Sequence, residues 1–342
     1  MGGNSSHCEL EKNLKISLKT IRELNLETNV IPESKLQTIE LHSDNSFTCS
    51  LVHAFHVLRQ TMKYIETGDF KSLETHFNLL GKVQFEVNDK YTQAILLESK
   101  MNPKNLVLSF VPITFVWDQM KVQETKFQKI KLFMTYLTNF VKAESQELNM
   151  QKGSRAESKE INIKVHKELY EKVVQKTVKH FSRQFAEREN LTILGSSHGA
   201  SAALLACVAI NFTTIEIPIT CFVTGAARVM NQEGFNFLES KKVCILHVVN
   251  GRFENGIVTI DPVPCLSLND QFVPPRYNLI VSKTPLENYT WFSNSLPKID
   301  IKKKFKLLHL IKFISKDVKN LHMTTSQKSF WDKIKQDFSC QQ

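Results

Sequence analysis

The stretch that decides the fold is Leu191-Thr192-Ile193-Leu194-Gly195-Ser196-Ser197-His198-Gly199-Ala200-Ser201-Ala202-Ala203-Leu204-Leu205-Ala206. Its first four residues, apolar or β-branched, read as a buried strand of the parallel type. Its small-residue tail reads as a helix that can lie close against a sheet. Between them stands Gly-x-Ser-x-Gly, the pattern of a nucleophile elbow. Such an elbow holds its serine on a sharp, strained turn. Glycines two residues to either side relieve the clash between strand and helix. The helix N-terminus aims unpaired amides and a positive dipole end at charge developing on a substrate oxygen. Ser197 is therefore the expected nucleophile, and the His198 N–H an expected oxyanion donor. The plain alternative is a Gly-Ser turn with no chemistry.

Outward from the elbow, strands and helices alternate. Strands are expected at 83–87, 91–97, 106–110, 219–224 and 243–249, and helices at 198–210 and 231–239. Leu51, Phe55, Leu58 and Met62 share one face of a helix within 47–80, a span read as two helices. A long helix is expected over 163–188, with Leu169, Val173, Val174, Val178 and Phe181 at helical spacing. This order implies a mostly parallel central sheet with helices on both faces. Residues 1–45 read as a polar, basic leader with some helical periodicity, and 46–342 as one domain. Within that domain 119–158 is a candidate lid. Its end, Glu144 to Glu157, is rich in Glu, Gln, Ser and Lys and reads as exposed loop.

With 42% hydrophobic and 23% charged residues, the 342-residue chain is ordinary globular material rather than a disordered one. No apolar run approaches the ~18 residues of a membrane span. The N-terminus lacks the apolar core of a secretory signal, so a cytosolic location is expected. Cysteines at 8, 49, 207, 221, 244, 265 and 340 form no CxxC pair, which argues for reduced thiols and against a zinc site. No cofactor or metal is expected. The net charge of +10 comes from dispersed lysines, and Lys302-Lys303-Lys304 is the only tight run. No nucleic-acid motif accompanies it, so nucleic acid is not an expected partner. Met1-Gly2-Gly3-Asn4-Ser5-Ser6 fits the N-myristoylation pattern with Gly2 as acceptor, and Cys8 lies where a palmitoyl chain would add to it. One acyl chain anchors only marginally. A second chain, or the nearby Lys12, Lys15 and Lys19, makes attachment to the cytosolic face of a membrane plausible chemistry.

Several segments resemble the class 3 (fungal-type) lipases in the same order and at compatible spacing, over about residues 90–335. Val165-His166-Lys167-Glu168-Leu169-Tyr170 is similar to the segment that opens the helix before that family's elbow. Ile219-Thr220-Cys221-Phe222-Val223-Thr224-Gly225-Ala226-Ala227-Arg228-Val229 resembles the strand ending in its Gly-x-Pro-Arg-Val turn, with Ala227 in place of Pro. His247-Val248-Val249-Asn250, followed after an insertion by Asp261-Pro262-Val263-Pro264, resembles the stretch bearing its catalytic aspartate. The resemblance implies an α/β-hydrolase fold, a Ser-Asp-His triad and a lipid ester substrate, either acylglycerol or phospholipid. It supplies Asp261 as the acid, and the rigid Pro-Val-Pro turn after a strand at 256–260 suits that role. The base must lie downstream. His322, in a polar turn before a final helix, is preferred, and His309, in the apolar run Leu307 to Ile311, is the alternative.

One segment departs from the family. Where the resemblance leads one to expect Phe-Arg-Gly-Thr, this chain has Phe110-Val111-Pro112-Ile113-Thr114. Thr114 is the remaining candidate for the second oxyanion donor, because Pro112 has no N–H. Losing one such donor costs about a hundred- to thousandfold in rate. The competing reading is therefore a catalytically impaired, membrane-tethered module that binds lipid or protein.

Overall fold

The computed structural model describes residues 29–38, 46–86, 91–111, 144–152, 159–186, 188–213, 215–267, 269, 271–283 and 288–300. The strands are β1 (Val30–Pro32), β2 (Gln37–Thr38), β3 (Phe77–Glu86), β4 (Tyr91–Ser99), β5 (Asn105–Val111), β6 (Ser145–Lys152), β7 (Lys159–His166), β8 (Asn190–Ser196), β9 (Ile219–Thr224), β10 (Cys244–Glu254), β11 (Ile257–Ile260), β12 (Leu266–Ser267), β13 (Asn278–Lys283), β14 (Asn288–Ser293) and β15 (Ile299–Asp300). The helices are α1 (Ser46–Thr67), α2 (Lys71–Glu74), α3 (Lys167–Leu169), α4 (Gln175–Phe185), α5 (His198–Asn211) and α6 (Gln232–Ser240). A π-helical turn, Tyr170–Val174, joins α3 to α4.

The main sheet runs β2-β14-β13-β10-β9-β8-β5-β4-β3. Its five central strands, β13, β10, β9, β8 and β5, are mutually parallel. β14 pairs antiparallel with β13, and β4 pairs antiparallel with both β5 and β3. Alternation along each central strand feeds two separate cores. Ile193, Cys221, Val223 and Val249 point to one face, packed under α4, α5 and α6. Leu194, Phe222, Leu246 and Val248 point to the other, where Leu51, Phe55, Leu58 and Met62 of α1 cover them. Helices thus lie on both faces, as the alternating pattern predicts. Gly199 through Ile210 of α5 are all buried. Its small residues let it sit against β5, β8 and β9 with α4 and α6 outside it.

Three stretches fold differently from the sequence reading. Residues 145–152 are not loop but β6, paired antiparallel with β7. Ser145, Glu147 and Asn149 face solvent while Leu148 packs against the core. The expected helix over 163–188 starts only at Lys167. Ile163 and Val165 are fully buried while Asn162 is exposed, the two-residue period of a strand, and they end β7. His166 then caps the helix, its Nδ1 accepting the Leu169 N–H at 3.3 Å. Within residues 1–45, read from sequence as a leader, Val30–Pro32 pair with β11 and β2 pairs with β14, so these strands are woven into the sheet. Asn29, buried at their head, donates from Nδ2 to the Ile260 carbonyl at 2.6 Å.

The strand expected at 243–249 continues to Glu254 and turns back through Asn255-Gly256 into β11. Both turn residues have positive φ, 53° and 72°, the geometry that an Asn-Gly hairpin turn provides. Cys207, Cys221, Cys244 and Cys265 are free thiols. No helix among the described residues is long and apolar enough to cross a membrane.

Candidate active site

Ser197 stands at the C-terminal end of β8, half-buried, as the N-cap of α5 with φ 53° and ψ −121°. A non-glycine residue in that region costs about 1–3 kcal/mol and persists only where its surroundings enforce it. The enforcement is visible. Ser197 N–H donates to the Thr224 carbonyl at 2.8 Å, and its own carbonyl accepts the Ser201 N–H at 3.2 Å. A Cβ on Gly195 would lie 2.4 Å from the Gly199 carbonyl oxygen and 2.7 Å from the Ala200 Cα. Only glycine at 195 lets the strand and helix close around the serine. The His198 N–H belongs to the first turn of α5.

The neighbouring strand ends are stitched in sequence. Gly225 N–H donates to Val248 O at 3.1 Å, and Asp261 N–H to Asn250 O at 2.8 Å. Asp261 therefore lies beside Asn250 of β10, on the side of that strand opposite β13, where β9 pairs with it up to Val248. It is wholly buried, and its Oδ1 accepts the Val263 N–H at 2.9 Å, which holds the carboxylate in the turn that Pro262 begins. The serine and the aspartate thus share the sheet edge where open α/β sheets place their ligand sites. Among the described residues, no cluster of His, Cys, Asp and Glu could hold a metal. His322, His309, Thr114, Gly2 and Cys8 lie outside the described residues, as do 119–143 and 153–158 of the candidate lid.

Three residues near the site had no role in the sequence reading. His247, fully buried in β10, accepts the Ala226 N–H at Nε2 (3.0 Å), so its proton is on Nδ1 and is donated to Asn278 Oδ1 (2.9 Å). Asn278 is oriented for this because its Nδ2 donates to the Pro275 and Ser293 carbonyls at 2.8 and 3.1 Å. Burial pushes His247 down to about 4, against the opposing pull of Asn278 and the Asp261 charge. A neutral imidazole with both nitrogens engaged is a strut for the 225–227 turn, not a base. Ser201 grips the same turn from α5, its Oγ accepting the Ala227 N–H at 3.1 Å. Arg228, also buried, reaches from that turn to the Pro264, Leu296 and Pro297 carbonyls. The sequence signal for it is its place as the arginine of the stretch that resembles the Gly-x-Pro-Arg-Val turn.

A parallel sheet with helices on both faces and a strained serine between β8 and α5 defines an α/β hydrolase. Residues 120–268 match the family model of the class 3 lipases. That family is the one the collinear motifs resemble. Among solved structures, the chain is similar to the Rhizomucor miehei lipase in a propeptide complex of a deletion mutant, at 13% identity and a TM-score of 0.51 over 78% of this chain and 76% of that one. It is also similar to the lipase of Rhizopus microsporus var. chinensis, at 14% identity, a TM-score of 0.49 and 77% and 82% coverage. Lipase II from Rhizopus niveus gives 15%, 0.48, and 77% and 89%. At such identities the likeness concerns fold, and it rests on the first. Among the curated proteins no sequence matches.

Proposed function

We propose that the protein is a serine hydrolase of lipid carboxylic esters, with Ser197 as nucleophile, Asp261 as the triad acid and His322 as base, His309 being the alternative. The observation that carries this is the backbone of Ser197, held at φ 53° over a glycine that no other residue can replace. Strain of this kind is maintained at sites that use it.

In the reaction, Ser197 Oγ attacks the ester carbonyl as its proton passes to the histidine, which the Asp261 carboxylate orients. The tetrahedral oxyanion takes hydrogen bonds from the His198 amide and from Thr114. Collapse breaks the bond to the alcohol, which leaves with the proton from the histidine. Water, deprotonated by the same histidine, then attacks the acyl-serine and releases the fatty acid. The substrate is an acylglycerol or phospholipid met at the cytosolic face of a membrane. Acylation of Gly2, with Cys8 or the following lysines as the second signal, would hold the enzyme there.

A fluorophosphonate probe tests the chemistry. Folded wild-type protein labels at Ser197, and Ser197→Ala does not. Labelling that survives the substitution overturns the assignment. Membrane attachment is tested separately, by the shift of Gly2→Ala protein from the membrane to the soluble fraction of cells.

A second reading, a catalytically impaired binding module, is favoured by one observation. β5 ends at Val111 and the next residue is Pro112, which cannot donate an amide hydrogen to an oxyanion. Well-folded wild-type protein that resists the probe would establish it.

A further inference from the structure

Arg228 takes no part in the chemistry proposed above, yet its side chain is only 8% exposed. Such a buried cation is tolerated only when its donors are used. Nε donates to the Pro264 carbonyl at 3.0 Å, and Nη2 donates to those of Leu296 and Pro297 at 3.1 and 2.7 Å. Pro264 lies three residues beyond Asp261, in the 3-10 turn Val263–Cys265. Leu296 and Pro297 lie between β14 and β15, on the chain that leads in sequence to both candidate histidines. The two segments also pair directly, Leu266 beside Ile299 and Ser267 beside Asp300.

The other end of Arg228 is anchored to the elbow. Its neighbour Ala227 exchanges hydrogen bonds with Ser201, whose Oγ accepts at 3.1 Å and donates to the Ala227 carbonyl at 3.4 Å. Ser201 lies one helical turn from Ser197 and donates its N–H to the Ser197 carbonyl. A continuous set of contacts therefore runs from the nucleophile's helix through the 227–228 turn to the aspartate loop and to the 296–297 segment. The planar guanidinium suits the junction, because its donors point in fixed directions toward separate acceptors; a lysine ammonium has no such fork.

We propose that Arg228 is a positioning residue for the triad, its guanidinium locking the Asp261 loop and the segment leading to the histidine in register with the Ser197 elbow. The proposal rests on the serine-hydrolase reading, and the test separates the two. Hydrolysis of p-nitrophenyl butyrate is measured for wild type, Ser197→Ala, Arg228→Met and Arg228→Lys, with kcat expressed per serine titrated by fluorophosphonate. Arg228→Met lowers kcat by about ten- to hundredfold, since misplacement by an ångström carries penalties of that order. KM stays within about twofold, because nothing that binds substrate has changed. Arg228→Lys recovers part of the loss, remaining about threefold or more below wild type for want of the fork.

A merely structural arginine would lower the melting temperature but leave kcat per titrated serine within about twofold of wild type. That result overturns the proposal while leaving Ser197 in place. If Arg228→Met does not fold, Arg228→Lys decides on the same criterion. Activity undiminished in Ser197→Ala, or absent from wild type, removes the hydrolase reading and this proposal with it.

Discussion

Acidification reaches His247 through the unfolded state, and the size of the effect follows from its surroundings. The imidazole is fully buried and held to about 4, against an ordinary value of 6.5. Between those values the unfolded chain binds a proton that the folded protein refuses, so stability rises with pH across this window. The contribution is complete above pH 6.5 and is lost as the pH falls toward 4. A displacement of about two and a half units, at 1.36 kcal/mol each, amounts to about 3 kcal/mol. About three-quarters of it is spent by about pH 4.5. Complete burial leaves no solvent screening to discount.

The assay is urea unfolding at about pH 7 and about pH 4.5 for wild type and His247→Gln. Carboxylates titrate in both proteins, so the difference between the two pH dependences isolates the histidine. His247→Gln starts less stable at neutral pH, because the Ala226 amide and Asn278 lose their partner, but it loses about 2–3 kcal/mol less on acidification. Identical pH dependences in the two proteins would refute the assignment of His247 as a neutral strut.

Gly195→Ala should be the most damaging single-methyl change near the site. Its Cβ would meet backbone, 2.4 Å from the Gly199 carbonyl oxygen. Loss of soluble protein, or a fall of about 4 kcal/mol or more in urea stability, is expected, and near-wild-type stability would contradict the elbow geometry. Ser197→Gly should act oppositely, raising stability by about 1 kcal/mol as the strained φ is relieved. The same variant should take no fluorophosphonate label; unchanged or lower stability by thermal unfolding would argue against stored strain. Ser201→Ala leaves the buried Ala227 amide unpaired and should cost about 1–3 kcal/mol by denaturant titration. Its effect should be less than additive with that of Arg228→Met, because the two residues act through one turn.

Local signals carried the elbow and the central strands. Gly195, Ser197 and Gly199 are read together because the turn they make is complete within five residues. Ile193 and Leu194 announce a strand buried on both faces because each face has its own apolar core. Asp261 was reached by resemblance, and the structure adds the Asn250 and Val263 hydrogen bonds that set it at the strand ends. β6 escaped because only one of its faces meets the core. Its polar residues read as loop until β7 supplies the pairing.

β1 escaped for a related reason. Three residues near the N-terminus say nothing of their partner, which lies more than two hundred positions away in β11. Asn255-Gly256 is a hairpin signal complete in two residues, and β10 and β11 pair across it. The roles of His247, Ser201 and Arg228 are of another kind. A sequence can show that a residue is able to donate or accept a hydrogen bond. Which carbonyl or amide it meets depends on how distant segments pack. Hence the elbow was legible in the sequence, while only the tertiary structure decided what holds Ser197 in place.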